Sequence, residues 1–372
     1  MIRKLWCRKV RHFIVAAYAT GFCTISTGAF AQARVPQDTP IDWRDANDAV
    51  GQFKRGHADV LKWESANQRD AGKPGESPAS LVLMTTDAAV RLAWQAHLDL
   101  AQTLAVLPSE IVDRIAVGEW TDIDPGWRRR APELDELLDV AAATRKSWLQ
   151  AVAARQAVKH WQDALAAAES AAELAARMAR IGNWSKLQEV RVQTAQNAAR
   201  MDLRRAEYAQ ASAQVELLGT LRLTGVHKSI ELPDNLPELP AGARSDTVVQ
   251  QRLKAVADEL PRAERLRATG GAAVAIAAYR ASHDIALRSS ENLKLQEFVV
   301  EETTLRYNGM LASVWDVLSE ARNRAQAATE AIDAQRDFWI ADSDLQHVLL
   351  GGVPERFISL GGGSKDSAEV AH

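Results

Sequence analysis

Eight histidines, 48 acidic residues and two cysteines are the groups that could bind a metal, move a proton or attack a substrate. Their spacing favours none of these. His57, His97, His160, His227, His283, His347 and His372 stand far apart, with no HExxH and no paired-ligand spacing. Glu133, Asp135 and Glu136 stand together, yet they open a helical stretch, where acids complement the free N–H groups of the first turn. Glu301 and Glu302 read as a solvated helix face. Gly270 with Gly271, and the run 361–363, lack the strand-to-helix context and the lysine of a phosphate loop. Arg55, His57 and Asp59, with Trp43 and Trp63 nearby, are an unusual cluster that reads as an N-terminal segment packing on the rest. No catalytic centre, no metal site and no cofactor is expected. One polar group remains: Arg306 and Asp316, on either side of Gly309. It reads as a helix-end ion pair, or as a polar apex where glycine lets a partner approach closely.

The elements that must hold these residues follow from the helix breakers. No proline lies between Pro132 and Pro233 or between Pro261 and Pro354. Gly182 alone interrupts 133–218, and Gly309 alone interrupts 272–350. Such spans predict long helices. We expect one from Glu133 to about Arg180 and a second from beyond Gly182 to about Leu218. After a Pro-rich linker at 226–244, with a short strand in 226–232, Ser245 to Ala268 reads as helix, broken at Gly270 and Gly271. Further helices run to Tyr307 and, past Gly309, to Leu350. Most of the 11 tryptophans read as belts and knobs on these long helices.

The termini set the compartment. Arg3, Lys4, Arg8, Lys9 and Arg11 precede an apolar run from Phe13 to Phe22, and small-x-small cleavage sites follow, so 1–33 reads as an export signal. Both Cys7 and Cys23 lie within it, which leaves no thiol for a disulfide or a metal. Its five cations, once removed, shift the net charge from −3 to −8, which disfavours nucleic acid as a partner. Residues 34–81 read as an extended, short-helix segment (a helix around 46–67), and 353–372 as a disordered tail. Elsewhere the best apolar stretch, 270–279, falls far short of the roughly 20 residues that span a bilayer.

Sliding the chain by 127 positions pairs Gly182 with Gly309, Glu189 with Asp316, Ala198 with Ala325 and Gly225 with Gly352. We therefore expect two tandem helical hairpins, at 82–225 and 245–352. Val314, Leu318, Ala321, Ala325, Ala328 and Ile332 form a narrow stripe, as do Ala153, Ala157, Ala164, Ala167, Ala171 and Ala175. Alanine seams let axes approach but bury little area, so the helices need one another and other chains. The expected fold is all-α: long antiparallel hairpins in two repeats, a coiled-coil bundle with little or no β-barrel.

Leu305-Arg306-Tyr307-Asn308-Gly309, with Ser313, Asp316 and Leu318, resembles the hairpin tip of the TolC outer-membrane efflux protein family. Gln335-Arg336-Asp337 and the Leu-rich close before Gly352 resemble the family's returning helix. The resemblance implies a homotrimeric, passive helical conduit in the periplasm, associated with the outer membrane, that exports small molecules or metal ions. It also implies hairpin tips that dock on a periplasmic adaptor and an inner-membrane pump. The tip residues are Arg306, Gly309, Leu311, Ser313 and Asp316, with Gly182, Ser185 and Glu189 as first-repeat counterparts. Arg180 departs from the pattern, two residues before its glycine rather than three. The family's barrel strands have no place here: 266–271 is too short, and the charges in 107–130 do not alternate. That argues against membrane insertion by this chain and supports an alternative, a soluble periplasmic scaffold or adaptor without a pore.

Overall fold

The computed structural model describes residues 80–360, apart from 132, 228 and 355, all within the compact unit Glu76–His372. The expected signal at 1–33, the cluster around His57 and the tail beyond residue 360 lie outside the described residues.

Four short helices come first: α1 (Thr86–Ala96), α2 (Ala101–Val106), α3 (Ser109–Val117) and α4 (Trp127–Arg130). Two long ones, α5 (Leu134–Arg180) and α6 (Lys186–Thr220), make the first hairpin. Then α7 (Asp246–Glu259) leads into the second, α8 (Arg262–Asn308) and α9 (Val314–Leu349). The helices α5 and α8 have 47 residues each, roughly 70 Å at 1.5 Å per residue. Among the described residues the strands are two, β1 (Leu81–Val82) and β2 (Ile230–Glu231), paired in parallel. Short helices occupy the stretch where a first-half barrel hairpin would lie. No helix among the described residues is long and apolar enough to cross a membrane.

Both expected hairpins are present, but three local features differ. First, the repeat runs at 128 rather than 127 positions: α5 and α8 start at 134 and 262 and end at 180 and 308. The alanines that align at 127 are too alike to fix a register, whereas helix ends are set by capping. Second, Gly270 and Gly271 do not break the helix. The break lies at Leu260 and Pro261, because a proline disfavours helical backbone at the residue before it, and Leu260 is extended at φ −92°, ψ 143°. Gly271 instead admits Phe357, whose ring a Cβ would meet at 3.4 Å. Third, the Pro-rich linker and the first residues after 352 are pinned to the helices. Ile230, Leu232 and Leu236 of the linker are buried, and Trp339 donates its indole N–H to the Pro237 carbonyl (2.9 Å). Of the residues expected in the tail, Phe357 and Ile358 pack on the base.

The core is lopsided. Three clusters of large side chains gather at the end away from the tips. Trp148, Leu149, Leu217, Ile230 and Ile340 form one, and Tyr279, Phe338, Leu345 and Val348 another. The third places Trp94, Leu100, Ile115 and Trp120 of the short segments on Leu134, Leu137 and Leu138 of α5. Trp94, Trp120 and Trp148 anchor this base, each with its indole N–H on a carbonyl (Leu137, Ile115 and Leu83). Near the tips the buried set shrinks to Ala171, Ala175 and Val192. Area burial therefore comes chiefly from the base, and the thin seam alone does not carry the fold.

The last turns of α9 also bury polar groups. Asp342 accepts from Arg244 (3.1 Å) and from Gln346, and the Gln346 side-chain carbonyl accepts from the Trp120 backbone N–H (2.9 Å). Asp344 pairs with Lys146 at 2.5 Å. His347, 2% exposed, sits edge-on to Trp120 with ring centroids 5.6 Å apart. Buried charge is tolerated because each has a partner.

Candidate partner-docking site at the hairpin tips

The first tip is a closed helix end followed by a capped helix start. Past Arg180 the chain turns left-handed at Gly182, φ +80°, and the N–H groups of Gly182 and Asn183 return to the carbonyls of Ala179 and Met178 (3.1 and 3.0 Å). No atom stands within 4 Å of a Cβ there, so backbone conformation alone asks for glycine. Ser185 then starts α6: its hydroxyl accepts from the Gln188 N–H, and the Gln188 side chain accepts from the Ser185 N–H (2.8 Å).

The second tip repeats this backbone with different side chains. The N–H groups of Met310 and Leu311 return to the carbonyls of Tyr307 and Arg306 (3.0 and 2.7 Å). Here the left-handed residue is Met310, φ +59°, while Gly309 has an ordinary φ of −83°. Ser313 and Asp316 form the capping box, Asp316 accepting from the Ser313 N–H (2.7 Å) and hydroxyl (2.8 Å). Those two bonds hold the Asp316 carboxyl below the usual carboxylate range.

In this register Asp316 answers to Gln188 rather than Glu189, and Arg306 to Met178. Glu189 lies one residue on, paired with Lys186 at 2.7 Å. Arg306 and Asp316 make no ion pair; the carboxylate is already engaged by the cap. Aligning the two capping boxes, Ser-x-x-Gln and Ser-x-x-Asp, would have exposed the correct register.

Trp184 and Trp315 bring the two tips together, their rings stacked at 6.4 Å and inclined by 14°. Arg322 to Asp202 (2.9 Å) and Arg324 to Asp163 (3.4 Å) join the hairpins further down. The paired tips leave large apolar side chains in solvent. Met310 is 94% and Leu311 82% exposed, and Ile181, Leu187 and Leu305 are also exposed. Arg306 stands exposed beside them. Of this apolar set the sequence reading named Leu311 as a docking residue and Leu305 within the tip pattern, and missed Met310, Ile181 and Leu187. Among the described residues no three His, Cys, Asp or Glu are grouped as metal ligands.

No protein-family model and no curated protein matches this sequence. Solved structures are similar to it at low identity. The CmeC outer membrane channel of Campylobacter jejuni is 12% identical over 65% of this chain and 67% of that one, with a TM-score of 0.48. For the outer membrane protein VceC of Vibrio cholerae the values are 14%, 64%, 76% and 0.47. For CusC, described as forming a transmembrane channel, they are 13%, 72%, 92% and 0.44. These are outer-membrane proteins of the TolC type that the tip pattern resembles, and at such TM-scores the likeness carries the function no further.

Proposed function

We propose that this chain is a TolC-like, non-enzymatic component of a passive efflux conduit, exported to the periplasm and associated with the outer membrane. The observation that carries this reading is the pair of capped tips, stacked through Trp184 and Trp315, with Met310, Leu311 and Ile181 held in water. Exposed apolar groups on an internally hydrogen-bonded apex fit a surface that another protein covers. The partner is a periplasmic adaptor working with an inner-membrane pump. Leu295 and Phe298, exposed along α8, are the side on which two further copies pack to complete a trimer. The cargo is a small molecule or a metal ion. Docking at the tips involves Arg306, Gly309, Leu311, Ser313 and Asp316, and on the first hairpin Gly182, Ser185 and Glu189.

A second reading, a soluble periplasmic scaffold without a pore, is favoured by one observation: short helices fill the stretch 109–130, where strands of a barrel would be inserted. Cell fractionation separates the two. The conduit reading requires recovery with the outer membrane and a trimer by light scattering. Recovery wholly in soluble periplasmic extract as a monomer would leave only the scaffold. For either, a Met310→Asp, Leu311→Asp double variant should keep its melting temperature and lose site-specific photocrosslinks from position 305 to a periplasmic protein.

A further inference from the structure

We propose that a cleft at the base of the molecule binds a small organic anion with an apolar body, such as a medium-chain carboxylate. The cleft encloses about 550 Å³, within the usual range for small-ligand sites. It lies between the end of α1, the start of α5, and the ends of α6 and α9. Val140, Ala142, Ala143 and Pro354 give it apolar walls, and Lys146, Arg222 and Arg356 put three cations on its lining against one acid, Asp139.

The charges are not evenly engaged. Lys146 is held by buried Asp344 at 2.5 Å, and Asp139 lies 3.6 Å from the imidazole of His347. Arg356 makes no hydrogen bond or ion pair with any described residue, and Arg222 only a long one, to the carbonyl of Ala96 (3.4 Å). Two guanidiniums with no carboxylate partner among the described residues thus face a mostly apolar hollow. That geometry matches a headgroup taken between them, with its body against the apolar wall.

The repeat supplies a second, independent observation. Both hairpins end in a left-handed residue followed by a backbone bond to the fifth residue back: Leu223 N–H to the Leu218 carbonyl, and Gly352 N–H to the His347 carbonyl. In the second copy the left-handed position is Gly351, at φ +94°; in the first it is Arg222, at φ +55°. An arginine in this conformation costs about 1 kcal/mol that glycine would not. Folding therefore does not ask for Arg222, while the cleft has a use for it. Strain of this kind collects at binding sites.

Arg222→Gly tests the idea without harming the fold, because the replacement suits the backbone. Isothermal titration of the purified full chain with octanoate, octanol and inorganic phosphate separates headgroup from body. We expect saturable octanoate binding, weakened by about tenfold or more in Arg222→Gly and in Arg356→Gln, with melting temperatures unchanged or raised for the former. Arg191→Ala, on the outer face of α6, should bind as the parent does. Octanol should bind at least about tenfold more weakly. Equal affinity for octanol, equal binding of phosphate, retained affinity in both arginine variants, or no octanoate binding would each overturn the proposal.

Discussion

Gly182 and Gly309 occupy neighbouring places in two similar turns and have different tasks. Gly182 supplies a left-handed backbone, and a Cβ there is strained whatever the space around it. Gly309 is right-handed, and a Cβ would meet only the carbonyls of Leu305 and Arg306 at 3.5 and 3.6 Å. Gly182→Ala should therefore lower stability by about 1 kcal/mol, whereas Gly309→Ala should be neutral or stabilising by a few tenths. Urea melts followed by circular dichroism check this, and an equal loss in both variants would contradict the assignment. Asp316 offers a related test. The Ser313 backbone N–H, and after it the Ser313 hydroxyl, hold its carboxyl down; Ser313→Ala removes the second, so the carboxyl pKa should rise part of the way in carbon-detected NMR titration, and the start of α9 should fray. The glycines were visible in the sequence as interruptions. That a methionine takes the left-handed place was not, since nothing local in Asn308-Gly309-Met310 names which residue bends.

Among the elements, α9 does the most varied work. Its first half offers a narrow alanine seam, while its last turns are buried on every side by α5, α8 and the 3-10 turn Trp120–Asp122. Protection should follow that gradient. Amide exchange is expected to be fast at 178–192 and 305–318 and slow at 338–349. Trp184→Ala removes the stacked pair with Trp315, so both tips should exchange faster by about five- to tenfold, matching roughly 1 kcal/mol for an aromatic pair, with no change at the base. A uniform acceleration would show that the tip contact is coupled to the base. Helix lengths were legible here because breakers are sparse. The continuity of α8 through Gly270 and Gly271 was not, because Phe357, a residue far along the chain, packs where Gly271 leaves space.

At the largest scale, over the described residues 80–360, a compact base carries two slender hairpins. The base has its own pH response. Burial first, then the positive charges of Arg128 and Lys146, lower the His347 pKa to about 4. Asp139 faces this ring and Trp120 packs on it. An unfolded chain protonates this histidine near pH 6.5. Stability from keeping it neutral is thus complete above that pH and is lost as pH falls toward 4, by at most about 3 kcal/mol. Asp344 acts in the opposite sense: burial, only partly offset by Lys146, raises its pKa, so its contribution grows on acidification. Melting temperature should fall between pH 7 and pH 4.5, and His347→Gln should flatten that fall; an unchanged slope would remove His347 from the account.

The chain's periodicity and its sparse breakers settle that there are long helices, where they reverse, and that two similar hairpins follow one another. Each of these rests on bonds between residues at most a few turns apart. Where the bulky side chains collect, which residues share the cleft at the base, and how the two tips stack depend on segments more than a hundred positions apart. Alanine-rich stretches pair almost equally well in several registers. Contacts such as Trp184 on Trp315 and Gln346 on Trp120 choose among them, and those exist only once the helices are packed.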